Sequence, residues 1–101
     1  MKVLYEQKGG LLGATVSSSA DTNLLSSKEK QEIEDMVRSA KFFDLPSKSL
    51  PPNPGAADYY RYKITVETEE RNHTVETTDL TMPAELRPLI KYFRKKAVNG
   101  M

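Results

Sequence analysis

The chain has no cysteine and no tryptophan, a single histidine, and almost no net charge. Each scarcity removes a class of function. Without cysteine there is no disulfide and no thiolate nucleophile, which agrees with a reducing compartment. One histidine, His73, cannot build a histidine-rich metal site, and no carboxylates are spaced to complete one. The 15 Lys and Arg residues are balanced by 14 Asp and Glu, so no net field recruits nucleic acid or an acidic membrane. No apolar run is long enough to span a bilayer. The opening Met-Lys-Val-Leu-Tyr-Glu is too short in apolar residues, and charged too early, for a signal peptide. A chain of 101 residues with these properties is expected to be one domain, 1–101, soluble and cytoplasmic, with room for one core without staples.

What is present is apolar patterning. Tyr60, Tyr62, Ile64 and Val66 alternate with Arg61, Lys63, Thr65 and Glu67, the period of a half-buried strand in residue types that suit a pleated surface. Val75 and Thr77 continue the alternation on the return. An even-numbered loop is needed to keep Val66 and Val75 on one face. A two-residue loop would ask Glu69 and Glu70 for positive φ, which a Cβ resists. The expected connection is therefore a four-residue loop, Glu69 to Asn72, with Asn72 left-handed.

Lys2 to Ser18 reads as another hairpin, turned at Gly9-Gly10, with Lys8 opposite Leu11, Tyr5 opposite Ala14 and Val3 opposite Val16. Gly13, on its other face, reads as a bulge. Ser17 to Asn23 lacks an apolar period and is expected to be a loop. Ser26 with Glu29 forms a capping box, and behind it Ile33, Met36, Val37 and Ala40 recur at helical spacing until Asp44-Leu45-Pro46 stops the pattern. Pro46 to Gly55 holds four of the chain's six prolines. Such a stiff segment is cheap to present to a partner; its simpler role is to carry the chain into the next strand. Pro83 opens a last helix whose stripe is Leu86, Leu89, Ile90, Phe93 and Ala97. Pro88 predicts a kink or a 3₁₀-like first turn, and Asn99-Gly100 a left-handed cap. The predicted order is β-β-α-β-β-α: an α+β fold with a four-stranded, mainly antiparallel sheet and two helices on one face.

Catalytic constellations are missing from this pattern. His73 falls in a strand with nothing to orient a Ser-His-Asp set. Gly9-Gly10-Leu11-Leu12-Gly13 lies in a hairpin rather than between a strand and a helix, where a phosphate loop belongs. Asp58, Glu67, Glu69 and Glu70 do not fit a calcium loop. Lys91, Arg94, Lys95 and Lys96 suit the negative end of the last helix, and the acidic residues elsewhere cancel their field. The sequence therefore predicts a binding protein, not an enzyme: no cofactor, no metal, no nucleic acid, no membrane and no small-molecule substrate, and a monomer.

The motifs together resemble emfourin, a family of small bacterial protein inhibitors of thermolysin-like zinc metallopeptidases. The likeness is carried by Gly9-Gly10-Leu11-Leu12-Gly13, by Ala40-Lys41-Phe42-Phe43-Asp44-Leu45-Pro46, by Asp58 to Val66, by His73-Thr74-Val75 and by Pro83 to Ile90. It departs from the family in the turn after Val66, Glu-Thr-Glu-Glu-Arg-Asn, which has no glycine. The resemblance implies a non-catalytic inhibitor that occludes a protease active site. The other reading is a protein-binding module of the same fold with a non-protease partner. Enzymes of the thermolysin type favour bulky apolar side chains just beyond the scissile bond, so the resemblance directs attention to leucines on extended, stiffened segments. These are Leu24 and Leu25, before the first helix, and Leu50, which precedes two prolines and is biased towards extended backbone. The alternative expectation is that these leucines only close the edge of the core.

Overall fold

The computed structural model describes residues 1–9, 15–48 and 60–99. Strands β1 (Lys2–Gly9) and β2 (Thr15–Asp21) are followed by helix α1 (Ser27–Ser39), strands β3 (Tyr60–Glu67) and β4 (Asn72–Thr78), and helix α2 (Arg87–Asn99). The order is the predicted β-β-α-β-β-α. The strands form one sheet in the order β2-β1-β3-β4, with every neighbouring pair antiparallel. The two hairpins therefore join through their first strands.

Both helices cover the same face of this sheet. Val3 and Tyr5 of β1, Ala20 of β2, Tyr62, Ile64 and Val66 of β3 and Val75 of β4 meet Ile33 and Val37 of α1. Leu89, Ile90 and Phe93 of α2, with Leu86 just before it, close the same core from the other helix. The opposite face carries Leu4, Ser17, Ser19, Lys63 and Thr65 and has no covering layer among the described residues. Period-two alternation is thus the physical reason for the two-layer architecture: each strand has one face that water solvates poorly, and the helices bury it.

Helix α1 starts where the capping residues place it, the Ser26 hydroxyl accepting from the Glu29 N–H at 3.2 Å. It ends at Ser39, capped by Ala40, and Lys41 beyond the cap sits in the left-handed region at φ 51°, ψ 48°. A 3₁₀ turn, Phe42–Asp44, follows. A second 3₁₀ turn, Ala84–Leu86, leads into α2, so Pro88 falls in the first turn, where a missing N–H costs no helical bond. This is the 3₁₀-like start predicted from the proline pattern.

Three expectations are corrected. First, β2 is a strand through Ser17–Ala20, where a loop was expected, and Lys8 faces Thr15 rather than Leu11. Tyr5 lies opposite Ser18, and Val3 opposite Ala20. The longer pairing buries Ala20 beside the core and lets the Ser18 hydroxyl donate to the Phe93 carbonyl at 2.9 Å. Because the register moves by an even number of residues, the facing of β1 is unchanged.

Second, the β3–β4 loop is Thr68–Arg71, with Glu67 paired to Asn72 and Val66 to His73. No left-handed residue is needed. The Thr68 hydroxyl accepts from the N–H groups of Glu70 and Arg71 at 3.3 and 3.1 Å and donates to the Arg71 carbonyl at 3.0 Å. Third, Tyr60 is 38% exposed, because it pairs with Gly9 at the end of the sheet, past the buried stripe. The Gly9-Gly10 turn beyond Gly9, Gly13, most of the proline-rich segment with Leu50, and the Gly100 cap lie outside the described residues.

Candidate functional site

One end of the sheet gathers the features that a binding surface requires. Here β1 begins, β2 ends, β3 ends and β4 begins, so Met1, the 3₁₀ turn Thr22–Leu24 and the Thr68–Arg71 loop come together. The turn after β2 is pinned at several points. Thr22 is fully buried; its N–H and its hydroxyl both donate to the Met1 carbonyl, at 2.8 and 3.0 Å. The Asp21 carboxylate accepts from the Asn23 N–H at 3.0 Å, and the Leu25 N–H donates to the Thr22 carbonyl at 3.3 Å.

The two leucines then part company. Leu25 packs against the core. Leu24 is 83% exposed, the most exposed large apolar side chain among the described residues. Its backbone lies in the 3₁₀ turn, whereas Asp21, Leu25 and Ser26 around it are extended. The segment is therefore a hydrogen-bonded knuckle with a leucine at its tip, rather than a segment extended throughout. Rigidity of this kind reduces the ordering cost of binding. Leu50 falls outside the described residues.

Asn23, next to Leu24, also lines a cleft of about 620 Å³ that runs to the hairpin tip between Arg38, Lys41, Phe43 and Arg71. The Arg71 guanidinium sits 4.1 Å over the Phe43 ring. Behind this wall, His73 Nε2 is 2.7 Å from the Leu45 carbonyl, and its ring meets Phe42 edge-on at 5.6 Å. A carbonyl can only accept, so this ring nitrogen carries the proton. His73 thus ties β4 to the segment after α1. Among the described residues, no three His, Asp or Glu side chains are grouped to hold a metal.

The groups whose pKa is displaced are phenols. Burial pushes Tyr5 up to about 12, and the Asp79 charge adds to it while Arg94 opposes. Burial also raises Tyr62, helped by its hydrogen bond to Asp79, and raises Tyr92, with Glu29 and Glu32 adding to the effect. The Tyr62 hydroxyl donates to Asp79 Oδ1 at 2.6 Å, Asp79 Oδ2 accepts from the Tyr60 N–H at 3.0 Å, and Arg94 Nη1 lies 3.4 Å from the Tyr62 oxygen. A phenol held in its protonated form is not poised as a base or nucleophile near neutral pH. This network closes the core at the opposite end of β3 from Leu24. Sequence reasoning missed both it and the Thr22 anchor. Neither has a periodic signature, since Thr22 lies in a polar run and Asp79 just beyond a strand.

No helix among the described residues is long and apolar enough to cross a membrane. No curated protein sequence and no solved structure is significantly similar to this chain. A family model does match, over residues 5–94, nearly the whole chain, and its description is Emfourin: the protein belongs to the emfourin family.

Proposed function

We propose that the protein is a non-catalytic inhibitor that binds a thermolysin-like zinc metallopeptidase and occludes its active site, with Leu24 as the apolar side chain it inserts. Family membership supports the inhibitor reading. The observation that carries the choice of residue is the exposed Leu24 on a turn anchored by buried Thr22. An apolar side chain left in water by a stiff loop is a poor contribution to folding and a good one to binding. Burying a leucine contributes roughly 1.5–3 kcal/mol, which corresponds to about 10- to 150-fold in affinity.

The test measures inhibition of thermolysin alongside thermal melting. Leu24→Asp is expected to weaken inhibition at least about tenfold while melting is unchanged. Leu25→Asp is expected to lower the melting temperature, because it places a charge against the core. Intact inhibition in Leu24→Asp would remove that residue from the contact. No inhibition by the unmodified protein, against thermolysin or other enzymes of its type, would favour the module with a non-protease partner.

A further inference from the structure

The backbone of β2 presents a row of hydrogen-bonding groups, unpaired by any described residue, that leads into the Leu24 turn. The register shows which groups these are. Thr22 lies one step beyond the Lys2–Asp21 pair, opposite Met1, and its N–H donates to the Met1 carbonyl. In an antiparallel ladder, hydrogen-bonded pairs recur at every second residue. Val16, Ser18 and Ala20 therefore turn their N–H and C=O groups towards β1. Thr15, Ser17, Ser19 and Asp21 turn theirs outward. No described residue makes a backbone hydrogen bond to that outer side.

The two edges of the sheet are treated differently. At β4 the outer edge is covered: the Glu76 N–H donates to the Ser47 carbonyl at 2.8 Å, and Lys48 forms a parallel bridge with Glu76. At β2 the sequence Thr-Val-Ser-Ser-Ser-Ala has no lysine, proline or charge to discourage pairing, and the one charge on the strand is Asp21 at its end. Natural edges that must stay solitary usually carry such residues. The side chains at Thr15, Ser17 and Ser19 are short and exposed, so an approaching strand meets no bulk. Beside them the sheet forms a shallow depression of about 540 Å³ with Leu4, Lys63 and Thr65.

We infer that β2 accepts an extended main-chain segment of the partner protein as a fifth strand. Thr15, Ser17 and Ser19 supply the N–H and C=O groups, and Leu24 fixes the position at the end of the row. This inference rests on the inhibitor reading for the identity of the partner. Main-chain pairing supplies affinity without demanding a particular side-chain sequence, so the edge and the leucine divide the work between general grip and local choice.

The experiment exploits the parity of the strand. Ser17→Pro and Ser19→Pro each delete an N–H that points outward, a substitution an edge strand tolerates. Ser18→Pro deletes one bonded to β1 and serves as the unfolding control. Amide hydrogen exchange is read for the free protein and for its complex with thermolysin held inactive by an active-site substitution. In the free protein, Ser17 and Ser19 should exchange fast while Val16, Ser18 and Ala20 are protected. In the complex, Ser17 and Ser19 should become protected. Ser17→Pro and Ser19→Pro should keep the native melting temperature and bind at least about tenfold more weakly. A complex that forms with Ser17 and Ser19 still exchanging fast, and with both proline variants binding at full strength, overturns the inference and leaves the inhibitor reading standing. Failure of the unmodified protein to bind at all removes both. Protection of Ser17 and Ser19 in the concentrated free protein would mean that a second copy takes the edge, which also overturns the inference.

Discussion

Tyr5 and Tyr62 should make the fold sensitive to alkali. Tyr5 is 2% exposed, donates to Gln7 Oε1 at 2.7 Å and stacks on Phe93 with ring centroids 6.3 Å apart. In the unfolded chain its phenol loses a proton near its ordinary pKa of 10.0, whereas in the folded protein it holds that proton to about 12. The unfolded state is therefore the one that releases the proton first, and rising pH favours it. The stabilisation is complete below about pH 10 and is lost as pH rises through about 12. Because the folded state holds the proton across that interval, up to about 3 kcal/mol of stability is lost by the time pH has passed it, a sizeable share of the roughly 5–15 kcal/mol that holds a domain of this kind together. Tyr62 is displaced in the same direction and steepens the loss. Urea denaturation at a series of pH values, with tyrosinate absorbance followed in parallel, measures both sides of the linkage. Stability should be flat from about pH 8 to about pH 9.5 and then fall, and the buried phenols should ionise only as the protein unfolds. Tyr5→Phe should make the alkaline slope shallower by about one proton. Ionisation of Tyr5 and Tyr62 near their ordinary value in a protein that stays folded and equally stable would refute the reasoning.

Other predictions test the core and the end of α1. Ile64 is fully buried at the middle of β3, between Tyr5 and Val75, so Ile64→Ala should cost roughly 2–5 kcal/mol. Its exposed neighbour Lys63→Ala should stay within about 0.5 kcal/mol, and equal effects in denaturant melts would contradict the strand's facing. Lys41→Gly relieves a side chain held at positive φ and should raise stability by about 0.5–1 kcal/mol. Lys41→Val should lower it, and a melting temperature indifferent to both would mean that the left-handed bend carries no strain.

The sequence made legible those elements in which apolar and polar residues contrast. Tyr62, Ile64 and Val66 announce β3, and Ile33 with Val37 announces the buried stripe of α1, because only one face of each can leave water. Strand β2 was illegible for the converse reason. Thr, Ser and Ala differ too little in transfer free energy for an alternation to show, although Ser18 and Ala20 do face inward. The registers of both hairpins were misplaced, yet by even steps, so every side chain assigned to the core face of β1 and of the inner part of β3 kept that face. Tyr60 failed because facing alone does not bury a residue; a covering helix must also reach it. The bend at Lys41 has no signal at all, since the local sequence Ala-Lys-Phe offers neither glycine nor asparagine where the chain turns left-handed.

The sequence left Leu24, Leu25 and Leu50 as candidates, and Thr22 sets the two that the structure describes, Leu24 and Leu25, apart in exposure. That threonine is anchored to the first residue of the chain, so the turn it starts cannot roll to bury Leu24 without breaking a buried hydrogen bond. Leu25 already occupies the space against the core. The arrangement puts an exposed leucine and a core-packed leucine on adjacent residues. The core is closed by one leucine, the other is held out by bonds that the core enforces, and β2 reaches this point with its outer main chain unpaired by any described residue. A surface of this kind needs little rearrangement to bind, because the cost of ordering it is already met in folding. This is the physical property an occluding protein needs, since any flexibility left in the inserted segment would subtract directly from its grip.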